Sequence, residues 1–259
     1  MTAANSFSLG QKPGYLTPPA YSNSMDERIK TGIAGWDNLL GGGMIPRSIN
    51  LLSGCSGSGK TLYTISYIYN GAAMYGQKGV YITLEEMREN VLRDAKLIGL
   101  GVDKVSEEKM AVYDMSSLRV NAINTSDEVD NEDSPLRLKN LLEFIKLNYS
   151  DVTRLGLDSI VPIAIAYPDE HIFRAELFRF MMGLKRMGIT VLFTTEISYS
   201  SNDTSRFGME DFLADSVTLL RMREEWGRQV KVHKMRGSNH AKNFADYEIS
   251  ANGVNVIYK

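Results

Sequence analysis

The chain contains little cysteine, little uninterrupted apolar sequence and little excess charge, and each shortage excludes a class of protein. Its single cysteine, Cys55, excludes an internal disulfide framework and fits a reducing compartment. The richest apolar stretch, Ile160 to Tyr167, is less than half of the ~20 residues that a membrane-spanning helix needs. The formal net charge is −2, so the molecule lacks the overall positive field that attracts proteins to nucleic acid. We therefore expect a cytoplasmic protein without a membrane or nucleic-acid partner.

The 259 residues predict one large domain that follows a short arm. Residues 1–24 contain Pro13, Pro18 and Pro19 among Ser, Asn and Thr, with little apolar periodicity, which predicts a flexible N-terminal arm. Over residues 25–259, apolar runs alternate with segments of helical period. We assign this second range to a single domain.

Buried strands and amphipathic helices alternate through most of this domain. Strands are predicted at residues 48–54, 79–83, 110–115, 154–160 and 189–195, with helices between them. This alternation predicts an α/β fold with a mainly parallel central sheet between two layers of helices. After Asp215 the pattern changes to four short strands, SVTLLRM, QVKVHKM, FADYEI and VNVIYK. We expect these four strands to add to the sheet edge in antiparallel orientation.

A phosphate-binding loop (P-loop) is predicted between the first strand and the first long helix. The sequence GCSGSGKT matches G-x-x-x-x-G-K-[ST] in the structural context that this motif requires. Backbone N–H groups of such a loop face phosphates, Lys60 can reach the β and γ phosphates, and the Thr61 hydroxyl can bind Mg²⁺. A purely structural glycine turn would need neither residue, so we predict ATP binding. The predicted ligands are Gly54, Cys55, Ser56, Gly57, Ser58, Gly59, Lys60 and Thr61.

Acidic residues end two of the predicted strands. Asp158 ends an apolar strand about a hundred residues downstream of the loop, where P-loop proteins carry the aspartate that holds magnesium. Glu85 and Glu86 follow the second strand, and neighbouring parallel strands end around one ligand crevice. One glutamate can orient the attacking water, and the like-charged pair should raise one pKa, as suits a general base. The alternatives are a turn-forming role for Asp158 and a helix-capping role for the two glutamates.

A basic cluster lies near the end of the chain, in KMRGSNHAKN. Lys234 and Arg236 are two residues apart on a predicted strand and therefore share a face. Gly237 permits a turn that brings His240 and Lys242 near them. The cluster predicts an anion-binding site. Its alternative is an edge strand whose lysines are only solvated.

Seven segments occur in a family-specific order and spacing. They are TGIAGWDNLLGGGMIPRS, GCSGSGKT, YITLEE, LGLDSI, FTTE, FGMEDFLADSVTLL and KMRGSNHAKN. From about Arg28 to Lys259 the chain closely resembles the KaiC-like branch of the RecA superfamily of ATPases. The resemblance implies a RecA-like P-loop NTPase fold with ATP and Mg²⁺ as ligands.

The resemblance also implies roles for the candidate residues. Glu85 and Glu86 correspond to the catalytic glutamates, acting with Lys60, and Asp158 corresponds to the aspartate on the magnesium side. In that family, the residues at the positions of Lys234, Arg236 and His240 reach across to the ATP of the neighbouring subunit. A homo-oligomer, a ring of six subunits with ATP at the interfaces, is therefore expected.

Two departures from the family pattern bear on function. KaiC carries two such domains in tandem, whereas this chain carries one. Where autophosphorylating domains have adjacent Ser and Thr, this chain has Asp211 and Phe212, as ATPase-type domains do, which argues against autokinase activity.

The leading hypothesis is a slow ATPase that drives a conformational or signalling cycle with an unidentified protein partner. An ATP-gated scaffold with little turnover is the alternative, and the paired glutamates favour hydrolysis over it. A DNA recombination or helicase-like motor is a third reading, which the sequence pI of about 6.0 opposes.

Overall fold

The computed structural model describes residues 27–116, 134, 137–165, 167, 169–199, 203–223 and 227–258. The predicted arm, residues 1–24, lies outside this part of the chain. The helices are α1 Trp36–Leu39, α2 Lys60–Tyr75, α3 Arg88–Leu97, α4 Leu138–Asn148, α5 Val161–Ile165, α6 Glu170–Arg186 and α7 Glu210–Leu213. The strands are β1 Ile49–Gly54, β2 Gly79–Thr83, β3 Met110–Asp114, β4 Arg154–Asp158, β5 Thr190–Glu196, β6 Ser216–Met222, β7 Arg228–Met235, β8 Ala245–Ser250 and β9 Gly253–Ile257.

The described strands form one sheet in the order β3-β2-β4-β5-β1-β6-β7-β8-β9. Strands β1 to β6 are parallel, and β7, β8 and β9 continue the sheet in antiparallel orientation. The α/β class, the mainly parallel sheet and the antiparallel C-terminal edge are therefore confirmed. The expectation was wrong for SVTLLRM, because this strand, β6, pairs in parallel with β1. The chain between β5 and β6 is long enough to return to the other end of the sheet, as a parallel connection requires.

Two apolar cores lie on opposite faces of the sheet. On one face, α4 and α6 cover Leu51, Leu157 and Val191. On the other, α1, α2 and α3 cover Leu52 and Leu192, their neighbours in sequence. Because successive side chains of a strand point to opposite faces, β1 and β5 contribute to both cores. This accounts for the continuous apolar runs of the central strands. No helix of the described ranges is both long and apolar enough to span a bilayer.

A buried arginine fixes helix α2 against the sheet. Arg154 is 0% exposed and donates hydrogen bonds to the backbone oxygens of Tyr67 and Lys30 and to the side chain of Gln77. Burial lowers the pKa of its guanidinium. A Cβ at Gly71 would lie 2.4 Å from the Arg154 side chain, so the helix approaches β4 closely only because residue 71 is glycine. The second half of α2 is therefore held directly against the start of β4.

Candidate functional site

The P-loop lies between the buried strand β1 and helix α2. Gly57 and Gly59 adopt left-handed φ values of 77° and 86°, which residues with a Cβ rarely adopt. The N-cap residue of α2, Gly59, provides no side-chain cap, and the first turn contains no acid. The N–H groups at this helix start therefore remain available to an anion, with the helix dipole in its favour.

Lys60 and Thr61 begin the helix and lie over the loop. The Lys60 ammonium donates to the backbone oxygens of Gly54 and Cys55, at 2.9 and 3.0 Å. The Thr61 hydroxyl donates to the Asp158 carboxylate at 2.7 Å. The last two residues of GKT thus lie at the loop and beside Asp158, where the motif places the groups for phosphate and Mg²⁺.

The Asp158 carboxylate collects three hydroxyl donors from three different elements. Besides Thr61, Tyr81 of β2 donates at 2.6 Å and Thr194 of β5 donates at 2.5 Å. This arrangement favours the site role of Asp158 over a turn-forming role. The part played by Tyr81 and Thr194 was missed by the sequence reasoning, although FTTE, which contains Thr194, was among the family segments.

The oxygen atoms at Thr61 and Asp158 suit a hard cation. No group of three or more His, Cys, Asp or Glu side chains that could enclose a metal ion alone occurs within the described ranges. Mg²⁺ fits such a donor set, because it is held by one or two protein oxygens with substrate phosphates and water.

Glu85 and Glu86 lie beside Asp158 because the register pairs Thr83, the last residue of β2, with Asp158. The Glu85 carboxylate accepts a hydrogen bond from the Ser159 hydroxyl at 2.5 Å. The pKa of Glu86 is raised, first by burial and then by the charges of Asp158, Asp94 and Glu85. A raised pKa was expected, but burial, more than the neighbouring glutamate, is its main cause.

The helix-capping alternative fails for both glutamates. Helix α3 begins at Arg88, and its N-cap residue, Met87, provides no side-chain hydrogen bond. The Thr83 hydroxyl instead accepts the backbone N–H groups of Glu85 and Glu86, at 3.4 and 3.1 Å. The turn after β2 is thus held by Thr83, and Glu85 and Glu86 both line the cleft.

These groups line one open cleft of about 350 Å³ at the carboxyl ends of the parallel strands. Its lining residues are Ser56, Gly57, Gly59, Lys60, Thr61, Leu62, Glu85, Glu86, Asp94, Asp158, Glu196, Arg228 and Ile249. Sequence reasoning assigned no role to Glu196 or Arg228. The Nε atom of Arg228 is buried without a hydrogen-bond partner in the described part of the chain. Arg228 is the first residue of β7, and no local sequence pattern predicts that this antiparallel strand reaches the cleft.

The basic cluster lies apart from this cleft within the chain. Lys234 donates to the backbone oxygens of Asp211 and Ala214, at 2.6 and 2.8 Å, and Arg236 donates to that of Phe212 at 2.8 Å. Lys234, Arg236 and His240 are not among the residues lining the cleft. The two cations hold the last carbonyl groups of α7, a common position for Lys and Arg.

The electrostatics of the basic cluster differ from those of a solvated edge. The pKa of Lys234 is lowered by burial and by the charge of Arg236. The Nδ1 atom of His240 is buried, and the described residues give it no hydrogen-bond partner. This part of the sheet is therefore partly buried, and β7 lies between β6 and β8, unlike the solvated edge strand that the alternative describes.

Comparison with known proteins agrees with this geometry. The family model described as "ATPase: KaiC" matches residues 29–259. The chain is 29% identical over 245 residues to the circadian clock oscillator protein KaiC of Thermostichus vulcanus, covering 93% of this chain and 46% of that protein. It is 30% identical over 238 residues to KaiC of Synechococcus elongatus, covering 89% and 44%. The chain thus spans about half the length of the curated relatives it matches.

A solved structure matches over nearly its whole length. The crystal structure of a KaiC-like protein from the hyperthermophilic archaeon Pyrococcus horikoshii superposes with a TM-score of 0.73 at 32% identity. The match covers 90% of this chain and 99% of that one.

Proposed function

We propose, from the premise that this chain belongs to the KaiC family of ATPases, that it binds ATP with Mg²⁺ at residues 54–61 and hydrolyses it slowly. One observation carries the proposal. The uncapped start of α2, the Thr61–Asp158 pair and the Glu85–Glu86 pair all lie in the same cleft. A site for binding alone would need only the first two of these groups.

The binding roles follow from the contacts of the loop. The free N–H groups of the loop and of the first turn of α2 receive phosphate oxygens. The Lys60 ammonium donates hydrogen bonds to two backbone carbonyl oxygens of its own loop, and it turns to the β and γ phosphates when nucleotide binds. Thr61 and Asp158 hold Mg²⁺ directly or through its waters. When bound, Mg²⁺ neutralises charge on the phosphates and keeps them oriented.

The two glutamates have different roles in handling water. Glu86 is the general base, because its side chain makes no hydrogen bond within the described residues and its raised pKa favours proton uptake. The Glu85 carboxylate accepts a hydrogen bond from the Ser159 hydroxyl and has a positioning role in the site. The base takes a proton from the attacking water as the water approaches the γ phosphate.

The active form is a homo-oligomeric ring, six subunits in the family pattern, with ATP between subunits. Lys234, Arg236 and His240 contribute to the site of the neighbouring subunit. Their positions away from their own cleft, and the exposure of Arg236, support this arrangement. Cations that reach the phosphates from a neighbour stabilise the charge of the transition state. Slow turnover would then alter the ring and its contacts with a protein partner in a signalling or timing role.

Phosphate release and native mass, measured together with and without Mg-ATP, test the proposal. We expect the wild type to hydrolyse ATP and to gain mass toward six chains with nucleotide. Lys60→Ala should release no phosphate, whereas Lys104→Ala, which removes an exposed lysine from a 3₁₀ turn, should behave as the wild type. Phosphate release by the wild type at the Lys60→Ala rate would overturn hydrolysis. Tight ATP binding without release would favour the scaffold alternative.

A further inference from the structure

Strand β8 contacts the P-loop through Tyr247, which does not line the cleft, and through Ile249, which does. The Tyr247 hydroxyl donates to the backbone oxygen of Ser58 at 2.5 Å. The Tyr247 ring is buried and meets the ring of Tyr63, on α2, edge to face with centroids 5.3 Å apart. Two residues along, Ile249 lies so close that a Cβ at Gly59 would be 2.4 Å from its terminal methyl. A strand distant in sequence thus holds the middle of the loop.

The contact to Ser58 controls the direction of a peptide group. A trans peptide is planar, so its carbonyl and its N–H point in opposite directions. When Tyr247 holds the Ser58 carbonyl, the N–H of Gly59 points away from Tyr247. Gly59 lines the cleft and Tyr247 does not. The N–H of Gly59 is therefore oriented by a hydrogen bond from a residue that does not line the cleft.

This bond has no substitute in the surrounding structure. The Ser58 N–H donates to the Cys55 carbonyl oxygen at 3.2 Å and holds the peptide before Ser58. The peptide after Ser58 joins Gly59, whose missing Cβ leaves that peptide free to rotate unless something holds it. No second donor to the Ser58 carbonyl is found in the described ranges. Burial raises the pKa of Tyr247, so its hydroxyl keeps its proton and donates at all physiological pH values.

We propose that Tyr247 is a positioning residue for ATP binding, which acts by orienting the P-loop through the Ser58 carbonyl. The proposal rests on the proposed function of the loop, and Tyr247 itself touches neither nucleotide nor metal. Preorganised N–H donors bind an anion more tightly than mobile ones, because their ordering precedes binding. Removing the hydroxyl should therefore reduce affinity more than the rate at saturation.

Tyr247→Phe tests this, because it removes one oxygen and keeps the ring against Tyr63. We expect the Kd for Mg-ATP, measured by calorimetry, to rise about fivefold, the equivalent of one hydrogen bond of about 1 kcal/mol. The kcat at saturating ATP should stay within about twofold of wild type, because the groups that handle water are unchanged.

Tyr67→Phe is the matched control. It removes another buried tyrosine hydroxyl that donates to a backbone oxygen, that of Thr190 at 3.1 Å, outside the cleft. Both variants should unfold at lower urea concentration than wild type, but Tyr67→Phe should keep the wild-type Kd.

The outcomes distinguish the positioning role of Tyr247 from the proposed ATP binding itself. An unchanged Kd in folded Tyr247→Phe, or an equal rise in Tyr67→Phe, would overturn the positioning role while the ATP site stands. A wild type that binds no ATP would overturn the proposed function itself, and the positioning role with it.

Discussion

The two roles proposed for the adjacent glutamates, general base for Glu86 and positioning for Glu85, can be tested by changing each residue to glutamine. Glu86 has no side-chain hydrogen bond within the described residues and a raised pKa, whereas Glu85 accepts a hydrogen bond from Ser159. Loss of a general base lowers rates by about 10²- to 10⁴-fold, so Glu86→Gln should lower kcat at least about a hundredfold. That factor is about 2.7 kcal/mol on the activation barrier.

Glu85→Gln should have a much smaller effect. The amide oxygen of glutamine can still accept from Ser159, so a charge-assisted hydrogen bond becomes a neutral one at a cost of about 1 kcal/mol. That corresponds to about a fivefold loss in kcat. Ser159→Ala removes this bond altogether and should lower kcat by at least as much as Glu85→Gln.

Single-turnover phosphate release, with the Kd for ATP measured on the same samples, separates chemistry from binding. Both glutamine variants should bind ATP at least as tightly as wild type, because each removes a negative charge near the phosphates. A loss in Glu85→Gln as large as that in Glu86→Gln would refute the assignment of Glu86 as the base.

Two further predictions concern pH and a cation missed by sequence reasoning. The folded-state pKa of Glu86 lies above its unfolded value. Its contribution to the free energy of unfolding is therefore fully present below the unfolded pKa and is lost as the pH rises through the folded pKa. Thermal unfolding of Glu86→Gln should therefore occur at higher temperature than wild type at neutral pH but not in acid, and equal shifts at both pH values would contradict the burial argument. Arg228→Gln should weaken ATP binding about tenfold, because the guanidinium faces the cleft with its Nε unpaired in the described ranges. The exposed Arg223→Gln serves as its control, and equal ATP Kd values for the two variants would exclude a role for Arg228.

The features that could be predicted from sequence are local ones. Strand β1, the P-loop and helix α2 are contiguous, and their apolar periodicity, glycines and Lys60 lie within one window. Helix α2 ends at Tyr75 with Gly76 as a left-handed C-cap, the role in which glycine commonly follows a helix. The alternation of strands and helices likewise predicted the parallel sheet.

The features that could not be predicted depend on which strands become neighbours. Tyr81 and Thr194 reach Asp158 only because β2 and β5 flank β4. The periodicity of the sequence does not predict this order of strands in the sheet. The parallel direction of β6 depends on the path of the chain before it, which has no strong pattern. The dominance of burial in the pKa of Glu86 depends on the packing of the whole cleft. The assignment of residues 25–259 to a single domain stays a prediction.

The sharing of each ATP site between two subunits is tested most directly by mixing two inactive variants. Lys60→Ala keeps its basic cluster but cannot hold phosphate, whereas Arg236→Ala holds phosphate but lacks the guanidinium that would complete the site of its neighbour. In equal mixture with free exchange, about a quarter of the interfaces in a ring pair an intact P-loop with an intact Arg236. We expect the mixture to recover up to about that share of wild-type ATP hydrolysis. Activity that stays at the average of the separate variants, after subunit exchange is demonstrated, would contradict a site completed by the neighbouring subunit.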